Sequence, residues 1–123
     1  MTVDYKSAKL QTQCTSLSEA KKLFGGDKQL AISLLARINA LQMADTIKDI
    51  VVQQQFHFHP LKHKNGRDLK ELFAIDVKTR KESWRIILKP LKEDGGEYVP
   101  CNIDEISSEV KRIEVVEVSN HYE

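Results

Sequence analysis

The chain has 123 residues, of which 41% are hydrophobic and 30% charged, and its formal net charge is +1. This composition excludes a largely disordered protein, and the length fits one domain with a sizeable core. The apolar runs are too short for a membrane span, and the first 30 residues hold no apolar signal core, so we expect neither a membrane segment nor secretion.

Helix signals fill residues 1–52. Val3-Asp4-Tyr5 alternates in polarity and predicts at most a short strand at the start. Ser16 and Glu19 have the spacing of a capping box, in which the hydroxyl accepts from the backbone of Glu19 and the carboxylate reaches back. They predict a short helix that ends before Gly25-Gly26, because glycine readily takes the left-handed conformation that follows a helix.

Asp27 is a second predicted cap and opens a longer helix. Four aliphatic residues then recur at steps of four, four and three, which places them on one helix face and predicts a buried stripe. A break at 44–46 precedes a last helical stretch, which ends near Val52. The stripe consists of Leu30, Leu34, Ile38 and Leu41.

After the helical half, the apolar period changes to the alternation that is typical of strands. It predicts strands over 73–77, 84–88 and 113–118. The polar residues 78–83 predict a turn between the first two strands. Pro90 is expected to end the second strand, because proline donates no ladder hydrogen bond.

The glycine- and proline-containing stretch 92–102 predicts a loop, and 104–110 predicts a short helix. Helices come first and strands follow with short links, which favour antiparallel neighbours. The sequence therefore predicts a single α+β domain over 1–123, with N-terminal helices (1–52) packed on a small antiparallel β-sheet (53–123).

The two cysteines indicate a reducing compartment. Cys14 and Cys101 lie 87 positions apart and form neither a CxxC pair nor a disulfide framework. We expect both to be reduced thiols in a cytoplasmic protein.

Charge is unevenly distributed along the chain. Residues 57–92 hold ten basic and four acidic residues, whereas 93–123 hold two basic and nine acidic ones. The basic segment also holds three of the four histidines. This distribution predicts either contact with phosphate or another anion, or a basic face neutralised by the acidic tail packed nearby.

The segment 56–63 concentrates chemistry-bearing side chains. Alternation places His57 and His59 on one side of an extended chain. Arg85 follows Trp84 in a predicted strand and should project from the opposite face. If that face is a cleft rather than core, Arg85 is a preorganised anion ligand.

Three hypotheses fit these residues. The three histidines of the segment would bind a metal, but H-x-H-x3-H without a nearby carboxylate or paired cysteines is a weak zinc pattern. Metal-free acid–base chemistry on a phosphodiester would use histidine as the proton carrier, with Lys62, Arg67 and Arg85 holding the phosphate. In the third hypothesis the histidines and Arg85 are partly buried structural groups.

Four segments, in this order, resemble the plasmid-killer (HigB-like) branch of the RelE/ParE toxin superfamily. In that branch H-x-L-K leads into a strand, W-R-I opens the next strand, and a short Asp/Tyr/His tail ends the chain. The resemblance covers about residues 56–122, and the N-terminal helices are compatible with it. The segments are His59-Pro60-Leu61-Lys62, Leu72–Val77, Trp84–Leu88 and Val115–Tyr122.

The resemblance implies a RelE-like toxin of a type II toxin–antitoxin system, of the kind that serves plasmid maintenance. Several members cut mRNA on the ribosome with neither metal nor cofactor, and the attacking group is the ribose 2′-hydroxyl. We therefore expect a cytoplasmic, ribosome-dependent mRNA endonuclease. Its implied partners are a helix-turn-helix antitoxin, the ribosome and mRNA, with no membrane contact and with DNA reached only through the antitoxin.

The resemblance also implies the roles of individual residues. His59, Lys62 and Arg85 match catalytic positions, with Lys62 and Arg85 stabilising the phosphorane charge. Asn120-His121-Tyr122 falls where the family has its terminal cluster, so His121 and Tyr122 are further catalytic candidates. The family's acid is absent there, which leaves the general base open between His59 and His121. The expected RNA contacts are Lys64, Arg67 and Trp84.

Two other functions stay open. One is a non-enzymatic, ParE-like toxin that inhibits gyrase, and the other is a regulatory or antitoxin-like partner protein. The histidine, lysine and arginine set favours the nuclease, whereas a net charge of +1 is low for a free nuclease that targets the ribosome. The stretch 92–109 is an insertion without a counterpart in the family.

Overall fold

The computed structural model describes residues 1–61 and 71–121. None of the helices in these two ranges is both long enough and apolar enough to cross a bilayer. In chain order the elements are β1 (Thr2–Tyr5), α1 (Ala8–Thr15), α2 (Leu17–Leu23), α3 (Lys28–Met43), α4 (Lys48–Val51), a 3₁₀ turn (Gln54–Phe56), β2 (His59–Pro60), β3 (Phe73–Asp76), β4 (Arg85–Leu91), α5 (Ile103–Ile106) and β5 (Arg112–Ser119).

The first three helices each begin at a polar cap. The side chains of Ser7, Ser16 and Asp27 accept hydrogen bonds from backbone amides three residues later. The caps at Ser16 and Asp27 confirm the sequence prediction, while α1, which Ser7 caps, was not predicted. The second half of the predicted capping box is wrong, because the Glu19 carboxylate pairs with Lys22 Nζ, 3.2 Å away, instead of reaching back.

Asp27→Ala should lower the free energy of unfolding by about 1 kcal/mol, because it leaves an amide of the first turn of α3 without its acceptor. Chemical denaturation of the two proteins measures this difference. Asp27→Ser is the matched control, since serine caps as well as aspartate and should leave the stability almost unchanged. Equal losses for the two variants would contradict a capping role for Asp27.

The stripe of α3 lies in the core, as predicted. Leu30, Leu34, Ile38 and Leu41 are buried, and they belong to one cluster with residues from one face of the sheet. The sheet side of that cluster includes Ile75, Ile86, Leu88, Ile113 and Val115. Helices on one face of a sheet bury the apolar surface of both, which confirms the α+β class.

The sheet has the strand order β1-β5-β4-β3-β2. The pairs β2–β3, β3–β4 and β4–β5 are antiparallel. This confirms the predicted antiparallel pairing for the three predicted strands, while β2 was not predicted. The prediction of an antiparallel sheet is wrong for β1, which pairs with β5 in parallel from Thr2↔Arg112 to Tyr5↔Val115. The connection between these two strands runs over residues 6–111, which is far longer than the dozen or so residues that a parallel pair needs.

Pro90 does not end β4, contrary to the sequence prediction. The strand continues to Leu91, and Pro90 pairs in register with Ile113 of β5. On its other side, β3 pairs with β4 only as far as Leu88, which lies opposite Phe73. Within the described residues, Lys89 and Pro90 therefore pair with β5 alone, and proline is tolerated where a ladder hydrogen bond is not required.

The stretch 92–109 helps to hold α4. The backbone N–H of Ile47 donates to Val110 O at 3.0 Å, and that of Lys48 donates to Ser107 O at 3.1 Å. The first amides of a helix lack partners inside it, and no side chain caps α4. The residues that follow α5 supply the missing acceptors, Ser107 O and Val110 O. The helix α5 itself is shorter than the helix predicted over 104–110.

Two weakly acidic side chains near the start of the chain have raised pKa values. Burial raises the pKa of the Cys14 thiol to about 12. Burial, together with the charge of Cys14, raises the pKa of the Tyr5 hydroxyl to about 12. A group with a raised pKa in the folded state favours folding below its unfolded pKa, and that contribution is lost as pH rises through the folded pKa.

The protein should therefore lose stability between about pH 8.5, where an unfolded thiol ionises, and pH 12. Cys14→Ala should flatten this alkaline decline, because the variant has one fewer acid to ionise on unfolding. Urea denaturation of both proteins at neutral pH and at about pH 10.5 measures how much unfolding free energy each protein loses between the two pH values. Equal losses of unfolding free energy in the wild-type protein and in Cys14→Ala would show that Cys14 is not the cause of the alkaline decline.

Candidate functional site

Three strands meet at one end of the sheet, and they bring together residues that are distant in sequence. β3 ends at Asp76, which lies opposite Arg85 at the start of β4. Arg85 in turn lies opposite Ser119 at the end of β5. The short strand β2 begins at His59, opposite Ala74 of β3. Strand alternation places Asp76 and Arg85 on the sheet face opposite the helices.

His57 connects the 3₁₀ turn to this sheet end. Its backbone is left-handed, with φ at 50°, a conformation that is uncommon for residues other than glycine. Its Nδ1 lies 2.9 Å from Asp76 Oδ1. The carboxylate accepts, so Nδ1 carries the proton in this hydrogen bond. Asp76 is 1% exposed, and this buried carboxylate fixes the orientation of the His57 ring.

His59 is held by His57 in two ways. Its Nδ1 donates to the His57 carbonyl oxygen at 2.7 Å. The two imidazole rings also stack, with centroids 4.3 Å apart and planes at 28°. A carbonyl can only accept, so neutral His59 has its proton on Nδ1 and its lone pair on Nε2. The geometry thus makes His59 Nε2 a Brønsted base.

Arg85 is buried, which departs from the expectation of a guanidinium open to an anion. Its Nε lies 3.2 Å from Asp76 Oδ1, and its side chain is 5% exposed. Its other nitrogens donate to backbone carbonyls of the preceding turn, those of Arg80, Glu82 and Trp84. Arg85 therefore holds the 80–84 turn and compensates the buried charge of Asp76.

Arg37 supports the same region from the helix layer, and the sequence analysis missed it. Its Nε donates to Asp76 O at 3.1 Å, and its Nη2 donates to the carbonyls of Gln55 and Lys78. Its guanidinium lies 4.7 Å from the Phe56 ring centroid. Burial lowers the pKa of Arg37, and the charge of Asp76 opposes this shift. A basic residue between Leu34 and Leu41 on the apolar stripe was the available sequence signal.

The predicted site residues divide into three groups. His59 and Arg85 are linked through His57 and Asp76, and His121 follows Ser119 at the same end of the sheet and is exposed. Trp84 is not at the site, because its ring packs edge-on against Phe24 of the helix layer, with centroids 4.9 Å apart. Outside the described residues lie Lys62, Lys64, Arg67 and Tyr122, together with His63 of the metal hypothesis.

His57 and Asp76 are site residues to which the sequence analysis gave no catalytic role. The predicted extended chain through His57 and His59 is wrong, because His57 is left-handed, although both rings do lie on one side. Within residues 1–61 and 71–121, no group of three or more His, Cys, Asp or Glu side chains is arranged to hold a metal ion.

Comparison with known proteins gives no relative for this chain. No family model, no curated protein and no solved structure matches it.

Proposed function

We propose that this protein is the toxin of a type II toxin–antitoxin pair and that it cleaves mRNA on the ribosome through the ribose 2′-hydroxyl. The observation that carries the proposal is the hydrogen bond of His59, whose Nδ1 lies 2.7 Å from the His57 carbonyl oxygen. This hydrogen bond places the imidazole proton on Nδ1 and the lone pair on Nε2. The resemblance of segments 56–122 to the RelE/ParE superfamily supplies the substrate class. The sequence directly after Leu61 supplies the cations Lys62, Lys64 and Arg67.

In the proposed reaction, His59 Nε2 removes the proton of the 2′-hydroxyl. The resulting oxygen attacks the adjacent phosphorus and forms the 2′,3′-cyclic phosphate, while the bond to the 5′-oxygen of the next nucleotide breaks and that oxygen takes a proton from solvent. Lys62 stabilises the charge that develops on the phosphorane, and Tyr122 stacks on the nucleotide. His121 is the alternative base, and Lys64 and Arg67 complete the proposed RNA contacts, whereas Trp84 packs on Phe24 and has no part in them.

Arg85 has an indirect part in this proposal. It is buried against Asp76, so its charge acts on the site by holding that carboxylate, which in turn orients His57. The cytoplasmic location, the helix-turn-helix antitoxin and the ribosome are parts of the same proposal.

The ends of the cut RNA test the chemistry. Attack by the 2′-hydroxyl should leave a 2′,3′-cyclic phosphate on the upstream fragment and a free 5′-hydroxyl on the downstream one. Ribosome-bound mRNA is incubated with the purified protein, and the fragment ends are identified by their response to kinase and phosphatase. A 3′-hydroxyl and a 5′-phosphate, together with stoichiometric metal in the protein, would instead indicate metal-activated water and overturn the proposal.

A gyrase-inhibiting toxin of the ParE type is the second candidate. The burial of Arg85 against three backbone carbonyls and Asp76 favours it, because a structural arginine needs no reaction to explain it. Induction of the protein in growing cells separates the two functions. Loss of translation with cut messages supports the nuclease, whereas DNA breaks with intact messages support gyrase inhibition. A regulatory partner should cause neither.

A further inference from the structure

The strained residue His57 lies beside the proposed base and has no part in the reaction described above. A left-handed backbone is uncommon at residues other than glycine, although histidine, asparagine and aspartate adopt it more often than the rest, and surrounding contacts hold it in place. Here the enforcing contact is the hydrogen bond from His57 Nδ1 to Asp76 Oδ1, at 2.9 Å.

Asp76 is a rigid anchor for this contact. It is 1% exposed, its Oδ1 lies 3.2 Å from Arg85 Nε, and its backbone carbonyl accepts from Arg37 Nε at 3.1 Å. Asp76 is therefore held by the sheet through Arg85 and by the helix layer through Arg37. His57 lies in the connection between the helices and the sheet. The ring of His57 is fixed relative to β3 through its side chain.

The left-handed turn at His57 aims its carbonyl oxygen at His59. That oxygen lies 2.7 Å from His59 Nδ1, and the stacked rings keep the two imidazoles nearly parallel. A histidine donates from one ring nitrogen and accepts at the other when neutral, and the partner of the first nitrogen decides which is which. The His57 carbonyl thus favours the His59 tautomer with its proton on Nδ1.

We propose that His57 is a positioning residue: its contact with Asp76 locks the turn that holds His59 in the Nδ1–H tautomer and so makes Nε2 the nitrogen that accepts a proton from RNA. The role of Nε2 toward RNA rests on the proposed function. The tautomer itself does not, and it is measurable without any substrate.

Two substitutions at His57 separate positioning from turn formation. Glycine adopts the left-handed conformation without a steric cost and keeps the carbonyl, but it cannot reach Asp76. Asparagine also tolerates this conformation, and its side-chain amide donates from about the position of the imidazole Nδ1. His57→Gly therefore removes the lock, and His57→Asn is the matched control that retains it.

The first readout is the tautomer of His59, from long-range ¹H–¹⁵N correlation spectra of the imidazoles at a pH where they are neutral. The wild-type protein and His57→Asn should show His59 protonated at Nδ1, and His57→Gly should show a mixture of the two tautomers. Cell-free synthesis supplies the protein, and His59→Gln assigns the signal. An unchanged His59 tautomer in folded His57→Gly overturns the proposal.

The wild-type spectrum is decisive even if His57→Gly does not fold. Neutral His59 protonated mainly at Nε2 in the wild-type protein would overturn the proposal without any variant. The second readout is cleavage of ribosome-bound mRNA. His57→Gly should cleave about ten- to a hundredfold more slowly, the range seen when the outer hydrogen-bond partner of a metal-binding histidine is lost.

His57→Asn should restore cleavage to near the wild-type rate. If neither His57→Asn nor His57→Gly cleaves, although His59 keeps the Nδ1–H tautomer in His57→Asn, His57 does not act through this tautomer. That result overturns this part of the proposal. A wild-type protein that cuts no RNA sinks the proposed function instead, and the tautomer comparison still decides whether His57 sets His59.

Discussion

Arg85→Met should lower the free energy of unfolding by about 3–5 kcal/mol, because it leaves the charge of Asp76 buried without its partner. Asp76 is 1% exposed, and Arg85 Nε lies 3.2 Å from its Oδ1. The substitution also removes the donors to the carbonyls of the 80–84 turn. Methionine keeps most of the side-chain volume, so the loss measures the polar contacts rather than a cavity.

Denaturant unfolding of the wild-type protein and the variant gives the free-energy difference. Arg112→Met is the matched control, because Arg112 also pairs with an aspartate, with its Nε 2.7 Å from Asp4 Oδ2, but both side chains are about one third exposed. Exposed pairs contribute little, so the control should lose only a small part of what Arg85→Met loses. Similar losses for the two variants would contradict a special role for the buried pair.

A double-mutant cycle with Asp76→Asn isolates the contact between the two side chains. Asp76→Asn alone should be strongly destabilising, since it leaves the Arg85 guanidinium without its carboxylate. The losses of the two single variants should not add in the double variant, because they remove the same contact. Substitution of Arg85 is thus a poor test of catalysis, because an Arg85 variant would lose activity through unfolding as well.

His59→Gln should reduce cleavage of ribosome-bound mRNA about 10²- to 10⁴-fold, the usual contribution of a general acid or base. Glutamine keeps a polar side chain of similar reach but exchanges no proton near neutral pH. His59 is half-buried at the start of β2, so we expect the variant to fold. The measurement is the initial rate of fragment formation, with circular dichroism as the check of folding.

His121→Gln is the comparison that identifies the base. His121 is exposed, and its contact in the described part of the chain is the backbone hydrogen bond to Ser119 Oγ, at 3.0 Å. If His59 is the base, His59→Gln should lose activity and His121→Gln should keep most of it. The reverse pattern would assign the proton transfer to His121. Full activity in both variants would exclude histidine as the base at either position.

Local signals were enough to predict most of the elements. A cap is satisfied within three residues, so Ser16 and Asp27 announce helix starts wherever the chain goes afterwards. Periodicity likewise reports the buried face of an element, because burial acts on each turn or each pair of residues along it. The stripe of α3 and the strands β3, β4 and β5 were predicted for this reason.

The same locality explains two of the failures. Proline ends a strand only where a neighbouring strand needs the amide that it lacks, and β3 stops short of Pro90. The parallel pairing of β1 with β5 joins Thr2 to Arg112, and no window of sequence contains both. Both outcomes depend on which strand becomes the neighbour, which is a property of the assembled sheet.

Local sequence patterns predicted the α+β class, the caps at Ser16 and Asp27, the core stripe of α3 and the concentration of histidine and basic residues in 57–92. How those residues are arranged around a buried charge could not be predicted from any local pattern. Asp76 had no distinguishing pattern until the sheet placed it between His57 and Arg85, with Arg37 behind it. A buried charge requires partners, and these three come from three separate parts of the chain, so their arrangement around Asp76 exists only once the chain has folded.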